Sequence, residues 1–268
     1  LKKGRIVNAA FSSSGEAVQS AYSNNVAGMI EGTDEELKKQ FVLITAHYDH
    51  IGAGKEGGGL YTPQDSIFNG ARDNAMGTAA LLSAAQAIGQ QPTKRSVLFL
   101  AVTAEEIGLL GSEYYAEHPL LPLKQMVFNL NTDGAGYDDV TAISVIGYGR
   151  TGTDAHFEAA AKMVGLKVVQ NPAPEAGLFD RSDNVSFSKV GIPSATLSPG
   201  ITGFSQEIMS RYHQITDEAA TLDFDYVLKY CQSFAHTARL IGDAAEAPQW
   251  MEGDKYEEVG KKLYGSKE

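Results

Sequence analysis

The sequence predicts an α/β protein, a largely parallel sheet covered by helices on both faces. Three observations carry that reading. Short apolar, β-branched runs bounded by polar, glycine or proline residues alternate along the chain with helical patterns. The alternation continues without an internal repeat or a linker-like break, which predicts one domain over residues 1–268. A chain of 268 residues also buries roughly three quarters of its unfolded surface, so its core needs no covalent staple.

Strands are expected at 26–30, 41–46, 96–103, 126–131, 140–147 and 192–197. Between them, 74–88 reads as an Ala/Leu-rich helix, and 108–116, 154–164, 184–190 and 223–241 as further helices. The Ser/Asn-rich residues 1–25 alternate weakly and predict an edge hairpin. Residues 52–60 are the most glycine-rich stretch and predict a flexible loop. The charged segment 246–268 predicts a surface helix laid on the body, anchored by Trp250.

Acidic residues outnumber basic ones, 33 to 22, for a net charge of -11. That disfavours a role led by phosphate contacts, so no nucleic-acid partner is expected. The same excess suits bound divalent cations. The longest apolar runs, such as 96–103, are strand-sized and far short of a membrane span. The one cysteine, Cys231, excludes an internal disulfide and a thiolate zinc site, but not an oxidising compartment. The chain begins at Leu1 with no signal-like apolar region, which reads as a processed or excised piece.

In an open α/β sheet the carboxyl ends of the strands form the ligand crevice. His47 and Asp49 follow the strand 41–46, Glu105 and Glu106 follow 96–103, and Asp133 follows 126–131. Asp73 lies at the start of the helix 74–88, and His213 in a polar loop ahead of the last long helix. Gathering these carboxylates without a counter-charge is costly, and a metal is the natural neutraliser. Two imidazoles with three or four carboxylates and no thiolate suit a pair of zinc ions or similar borderline metals, one carboxylate bridging them. Neighbours on extended chain point to opposite sides, so Glu105 and Glu106 serve one site only through a turn. One of them would bind metal while the other faces water as general base. The His47-Tyr48-Asp49 spacing allows Asp49 to accept from the imidazole and orient it. Taken singly, each residue has a plainer reading: a solvated loop for the glutamates, a helix cap for Asp73, a turn residue for Asp133.

Resemblance narrows these alternatives. Thr45-Ala46-His47-Tyr48-Asp49-His50, Asn69-Gly70-Ala71-Arg72-Asp73-Asn74-Ala75-Met76-Gly77 and Thr103-Ala104-Glu105-Glu106-Ile107-Gly108 resemble metal-binding motifs of the M28-family zinc aminopeptidases. Asn129-Leu130-Asn131-Thr132-Asp133 and Tyr212-His213-Gln214-Ile215-Thr216-Asp217 resemble the remaining two, in family order. The resemblance implies a three-layer α/β/α sandwich with a mixed, mostly parallel sheet. It also implies His47 and Asp133 on one zinc, Glu106 and His213 on a second, and Asp73 bridging the two Zn2+. Glu105 would be the general base and Asp49 the partner of His47. Two departures stand out. Arg72-Asp73-Asn74 replaces the usual Asp-Asp-Asn, and Ser182-Asp183-Asn184 replaces the frequent Ser-Asp-His.

The expected activity is that of an aminopeptidase, acting on peptides with a free amino terminus and secreted or periplasmic as the resemblance suggests. Phe179, Phe187, Phe204, Tyr212 and Arg181 are candidates to line the substrate pocket, with Tyr212 alternatively donating to the oxyanion. The alternatives are a carboxypeptidase gripping a substrate carboxylate with Arg181 or Arg211, a dipeptidase of the same family, a one-zinc glutaminyl-cyclase-like acyl transfer, and a non-catalytic interaction module. Retention of all five ligands and Glu105 opposes the last.

Overall fold

A computed structural model describes residues 22–265. At its centre lie β1 (Val26–Ile30), β2 (Phe41–His47), β3 (Ser96–Val102), β4 (Met126–Thr132), β5 (Ala142–Ile146), β6 (Lys167–Gln170) and β7 (Ser194–Pro199). They form one seven-stranded sheet in the order β1-β3-β2-β4-β7-β5-β6. The inner strands β3, β2, β4 and β7 run parallel. β1 is antiparallel to β3, β5 is antiparallel to β7, and β6 is parallel to β5. The sheet is therefore mixed, with a parallel centre.

Helices α1 (Met76–Gln90), α3 (Asp154–Met163) and α6 (Phe224–Asp243) cover one face. Helices α2 (Leu110–Glu117), α4 (Asn184–Lys189) and α7 (Glu257–Tyr264) cover the other, and the four-residue α5 (Gln206–Met209) lies in a rim loop. Strand alternation builds both cores. Val42, Ile44 and Ala46 pack with Ala80, Ala84, Tyr230 and Phe234 on the first face. Phe41 and Leu43 pack with Leu98, Leu100, Tyr115 and Phe187 on the second. β2 and β4 are buried at every position, as central strands covered on both sides must be. No helix among the described residues is long and apolar enough to cross a membrane.

The C-terminal segment lies on the body as its composition predicts. Trp250 is buried, and its indole N–H donates to the Gly191 carbonyl at 3.1 Å. The edge hairpin expected at 1–25 falls mostly outside the described residues. Within 22–25, Asn25 is pinned instead by bonds to Gly111 and Thr103. Residues 52–60 contain a short helical turn, with Ala53 bridged to Ile67, so the glycine-rich stretch is held. β7 begins at Ser194, two residues later than expected, because Pro193 has no N–H for the ladder. β6 goes unread in the sequence: four residues with only Val168 and Val169 apolar are too short to show a period.

Candidate active site

The chain passes from β2 through α1 to β3 on one side of β2, then through α2 to β4 on the other side. The crevice at this switch of direction, between β2 and β4, is where an α/β sheet holds its ligand. His47 closes β2 and is buried at that edge, and Asp133 directly follows β4. After β3, Ala104 adopts a left-handed φ of 59° and turns the chain. The Glu105 and Glu106 N–H groups then donate to the Asp49 carboxylate at 3.2 and 3.4 Å. This is the turn that lets adjacent glutamates enter one cleft.

Asp49 thus differs from its expected role. Its carboxylate stays 3.8 Å from His47 Nδ1, while its backbone carbonyl takes the imidazole contact at 3.2 Å. The carboxylate is engaged by the two glutamate amides, so Asp49 orients the histidine through its main chain and the glutamates through its side chain.

The donor spacings sort the candidate ligands into two groups. His47 Nε2 lies 3.2 Å from Asp133 Oδ1 and 3.4 Å from Asp73 Oδ1. His213 Nε2 lies 3.2 Å from both Asp73 Oδ2 and Glu106 Oε2. Two donors bound to one zinc at about 2.0–2.1 Å with tetrahedral angles stand about 3.3 Å apart. All four contacts have that length, and Asp73 offers a different oxygen to each histidine. His213 Nε2 is also buried without a hydrogen bond, as a metal donor would be. By proximity alone, Glu105 groups with His47 and Asp133, and His50 with Asp73 and Glu106. The spacings instead favour His47, Asp73 and Asp133 as one triad and His213, Asp73 and Glu106 as the other.

Charge in the cleft is strongly coupled to geometry. Burial opposes ionisation of Asp73, but the close imidazoles of His213 and His47 outweigh it and hold the carboxyl below its usual range. Burial likewise works against a charge on His213, yet Asp73 and Glu106 raise it to about 10. His47 is buried too, and Asp133 and Asp73 raise it well above its ordinary value. Burial, reinforced by Asp133, pushes Glu105 up to about 9. Burial also lifts Asp183 to about 7, and neither of its carboxylate oxygens has a hydrogen-bond partner among the described residues.

A polar framework fixes these groups. The Asn74 carboxamide donates to the Thr132 carbonyl at 3.0 Å and the His47 carbonyl at 3.3 Å, fastening the Asp73 turn to the ends of β4 and β2. Asp217, four residues past His213, accepts from the Arg72 N–H at 2.8 Å and the Asp73 N–H at 3.3 Å. Arg72 fills the position of the usual aspartate by pairing with Asp217 at 3.0 Å, and both side chains are buried. Asn184 stands where histidine is frequent. It donates to the Phe179 carbonyl and accepts from Thr196, each at 3.0 Å, which ties the pocket loop to β7.

The cleft, which opens to solvent, is lined by Asp73, Glu105, Glu106 and Asp133. Ile146, Leu178, Ile201, Phe204, Arg181 and Tyr212 form much of the rest. Tyr212 stacks on His213 with ring centres 4.0 Å apart, and burial keeps its phenol neutral by pushing it up to about 12. Two expected pocket residues lie elsewhere. Phe187 is fully buried in the second core against Tyr115, because α4 turns that face toward the sheet. Phe179 packs under the Arg150 guanidinium, 3.7 Å from its ring centre, and edge-on to Trp250. Leu178 and Ile201 reach the cleft instead. Sequence reasoning also passed over His50, although it stands within the quoted His47 motif; its Nδ1 lies 2.7 Å from Glu106 Oε1.

Fold and site together define an α/β/α protein with a candidate imidazole–carboxylate metal site at the strand ends. A sequence model of peptidase family M28 matches residues 25–238, and the chain belongs to that family. It is 28% identical over 203 residues to Aminopeptidase YwaD of Bacillus subtilis, covering 73% of this chain and 39% of that protein. The fold resembles a solved zinc aminopeptidase from Bacillus subtilis, with a TM-score of 0.62 and 24% identity over 87% of this chain and 52% of that one. It also resembles a peptidase M28 precursor from Shewanella amazonensis, with a TM-score of 0.64 and 21% identity over 86% of this chain and 47% of that one. The chain therefore spans about half the length of these solved relatives, and less of YwaD.

Proposed function

We propose that the chain is a zinc-dependent aminopeptidase that removes the first residue of peptides with a free amino terminus. The observation that carries this reading is the pair of donor triads sharing Asp73, all four contacts at 3.2–3.4 Å. His47, Asp73 and Asp133 would hold one zinc ion, and His213, Asp73 and Glu106 the other. Bound there, the ions would polarise the scissile carbonyl and make water acidic. Two triads favour this reading over a one-zinc acyl transfer.

Glu105 lines the cleft without belonging to either triad, and we assign it as the general base. Its carboxylate takes a proton from the attacking water and returns it to the leaving amine. Without cations, burial and Asp133 keep it protonated at neutral pH. Two nearby positive charges favour its ionised form, so metal loading also arms the base. Ile146, Leu178, Ile201 and Phe204 give an apolar wall for the first side chain.

The test is a panel of aminoacyl chromogenic amides with zinc or with a chelator. Chelator-sensitive release is expected from free-amine substrates and not from their N-blocked counterparts. Equal turnover of blocked substrates would overturn the aminopeptidase assignment.

Zinc uptake should release protons. His47 and His213 both carry folded-state values above their ordinary 6.5, so both are protonated at pH 7 without metal. A bound imidazole must be neutral, so these protons leave, and affinity weakens as pH falls below about 10, the value for His213. Calorimetric titration in buffers of different protonation enthalpy should show about three protons released at pH 7, one from each imidazole and one from Glu105; uptake with none would contradict the triads.

Asp49→Ala frees the amides that hold the Glu105–Glu106 turn. Zinc affinity or turnover should fall about 10- to 100-fold, read by chelator competition. An unchanged affinity and rate would leave Asp49 without a role in the site.

A further inference from the structure

His50 is held on several sides. Its Nδ1 lies 2.7 Å from Glu106 Oε1, and its ring packs edge-on to His213 with centres 5.5 Å apart. A Cβ added to Gly70 would come within 2.6 Å of the ring, so the glycine there, at a left-handed φ of 63°, makes room for the imidazole. Its Nε2 is buried without a partner among the described residues.

The 2.7 Å contact is too short for both atoms to bind one zinc, whose tetrahedral donors stand about 3.3 Å apart. It is the length of a charge-assisted hydrogen bond. An ionised carboxylate only accepts, so Nδ1 carries the hydrogen. The two oxygens of Glu106 are thus divided: Oε1 is occupied by His50, and Oε2 faces His213 at 3.2 Å.

We propose that His50 is a positioning residue that restricts Glu106 to one metal-binding oxygen. Resting on the aminopeptidase reading, this keeps a coordination position at the second ion free for the substrate's amino nitrogen. With His50 gone, Glu106 can turn both oxygens inward and close that position. An open position is what separates a catalytic from a structural zinc site.

The experiment compares wild type, His50→Ala and His50→Asn, each loaded with zinc alone and with cobalt alone. Asn places an amide N–H where Nδ1 was, and it controls for a folding defect in the alanine variant. His50→Ala should still bind two ions. Its cobalt visible bands should weaken as one ion gains a ligand, and kcat/KM on a free-amine amide should fall about 10- to 100-fold, mainly through KM. His50→Asn should restore the spectrum and much of the KM. Retention of only one ion by His50→Ala would make His50 a ligand and overturn the proposal. So would a wild-type cobalt spectrum in His50→Ala. If wild type cleaves no free-amine substrate, the aminopeptidase reading fails, while metal content and spectra still decide the role of His50.

Discussion

Glu105→Gln is expected to lower kcat on a free-amine aminoacyl amide by about 10²- to 10⁴-fold, the range that a positioned general base supplies. Both zinc ions should remain bound, because Glu105 lies outside the triads built on the 3.2–3.4 Å contacts. The substitution keeps the side chain's volume and a hydrogen-bonding end, so the cleft is not reshaped. It removes only the atom that takes and returns the proton. Metal content by elemental analysis and single-turnover rates separate the two effects. Loss of an ion with the activity would place Glu105 among the ligands, beside His47 and Asp133, as proximity alone allows.

Asp73→Ala is expected to remove both ions together. Asp73 is the only residue shared by the triads, with Oδ1 near His47 and Oδ2 near His213. Its loss deprives each ion of one of three protein donors and of a negative charge. Affinity should fall by more than the roughly 100-fold seen for outer-shell partners. The zinc-dependent gain in thermal stability should disappear with it; for a site loaded at 1,000 times its Kd that gain is about 4 kcal/mol. Stoichiometry after dialysis and melting with and without zinc are the measurements. Asp73→Asn serves as the folding control, since it preserves the volume packed within the Asn74 and Asp217 framework. Two ions retained by Asp73→Ala would sink the bridging assignment.

Much of this protein is legible in the sequence because its signals are local. Strand-sized apolar runs such as 41–46 and 96–103 need both faces covered, whatever surrounds them. The placement of His47, Glu105, Glu106 and Asp133 just beyond such runs follows from the way parallel strands deliver their carboxyl ends to one edge. The M28 motifs add the order of the expected ligands, and the match of residues 25–238 to the family agrees with the resemblance itself.

What only the tertiary structure decides depends on distances between segments far apart in the chain. Whether Asp49 uses its carboxylate on His47 or on the Glu105 and Glu106 amides turns on a left-handed φ at Ala104, an alanine that carries no such signal. Phe179 and Phe187 look like pocket residues because aromatic side chains suit pockets and cores alike; the rotation of α4 and the cation of Arg150 place them elsewhere. Arg72 reads as a departure from a motif until Asp217, 145 residues away, appears as its partner. His50 is hidden in plain view, since only a 2.7 Å separation distinguishes a residue that steers a ligand from one that is a ligand. Hydrophobic periodicity is a property of neighbours along the chain, whereas ligand geometry belongs to loops that meet only once the sheet has formed.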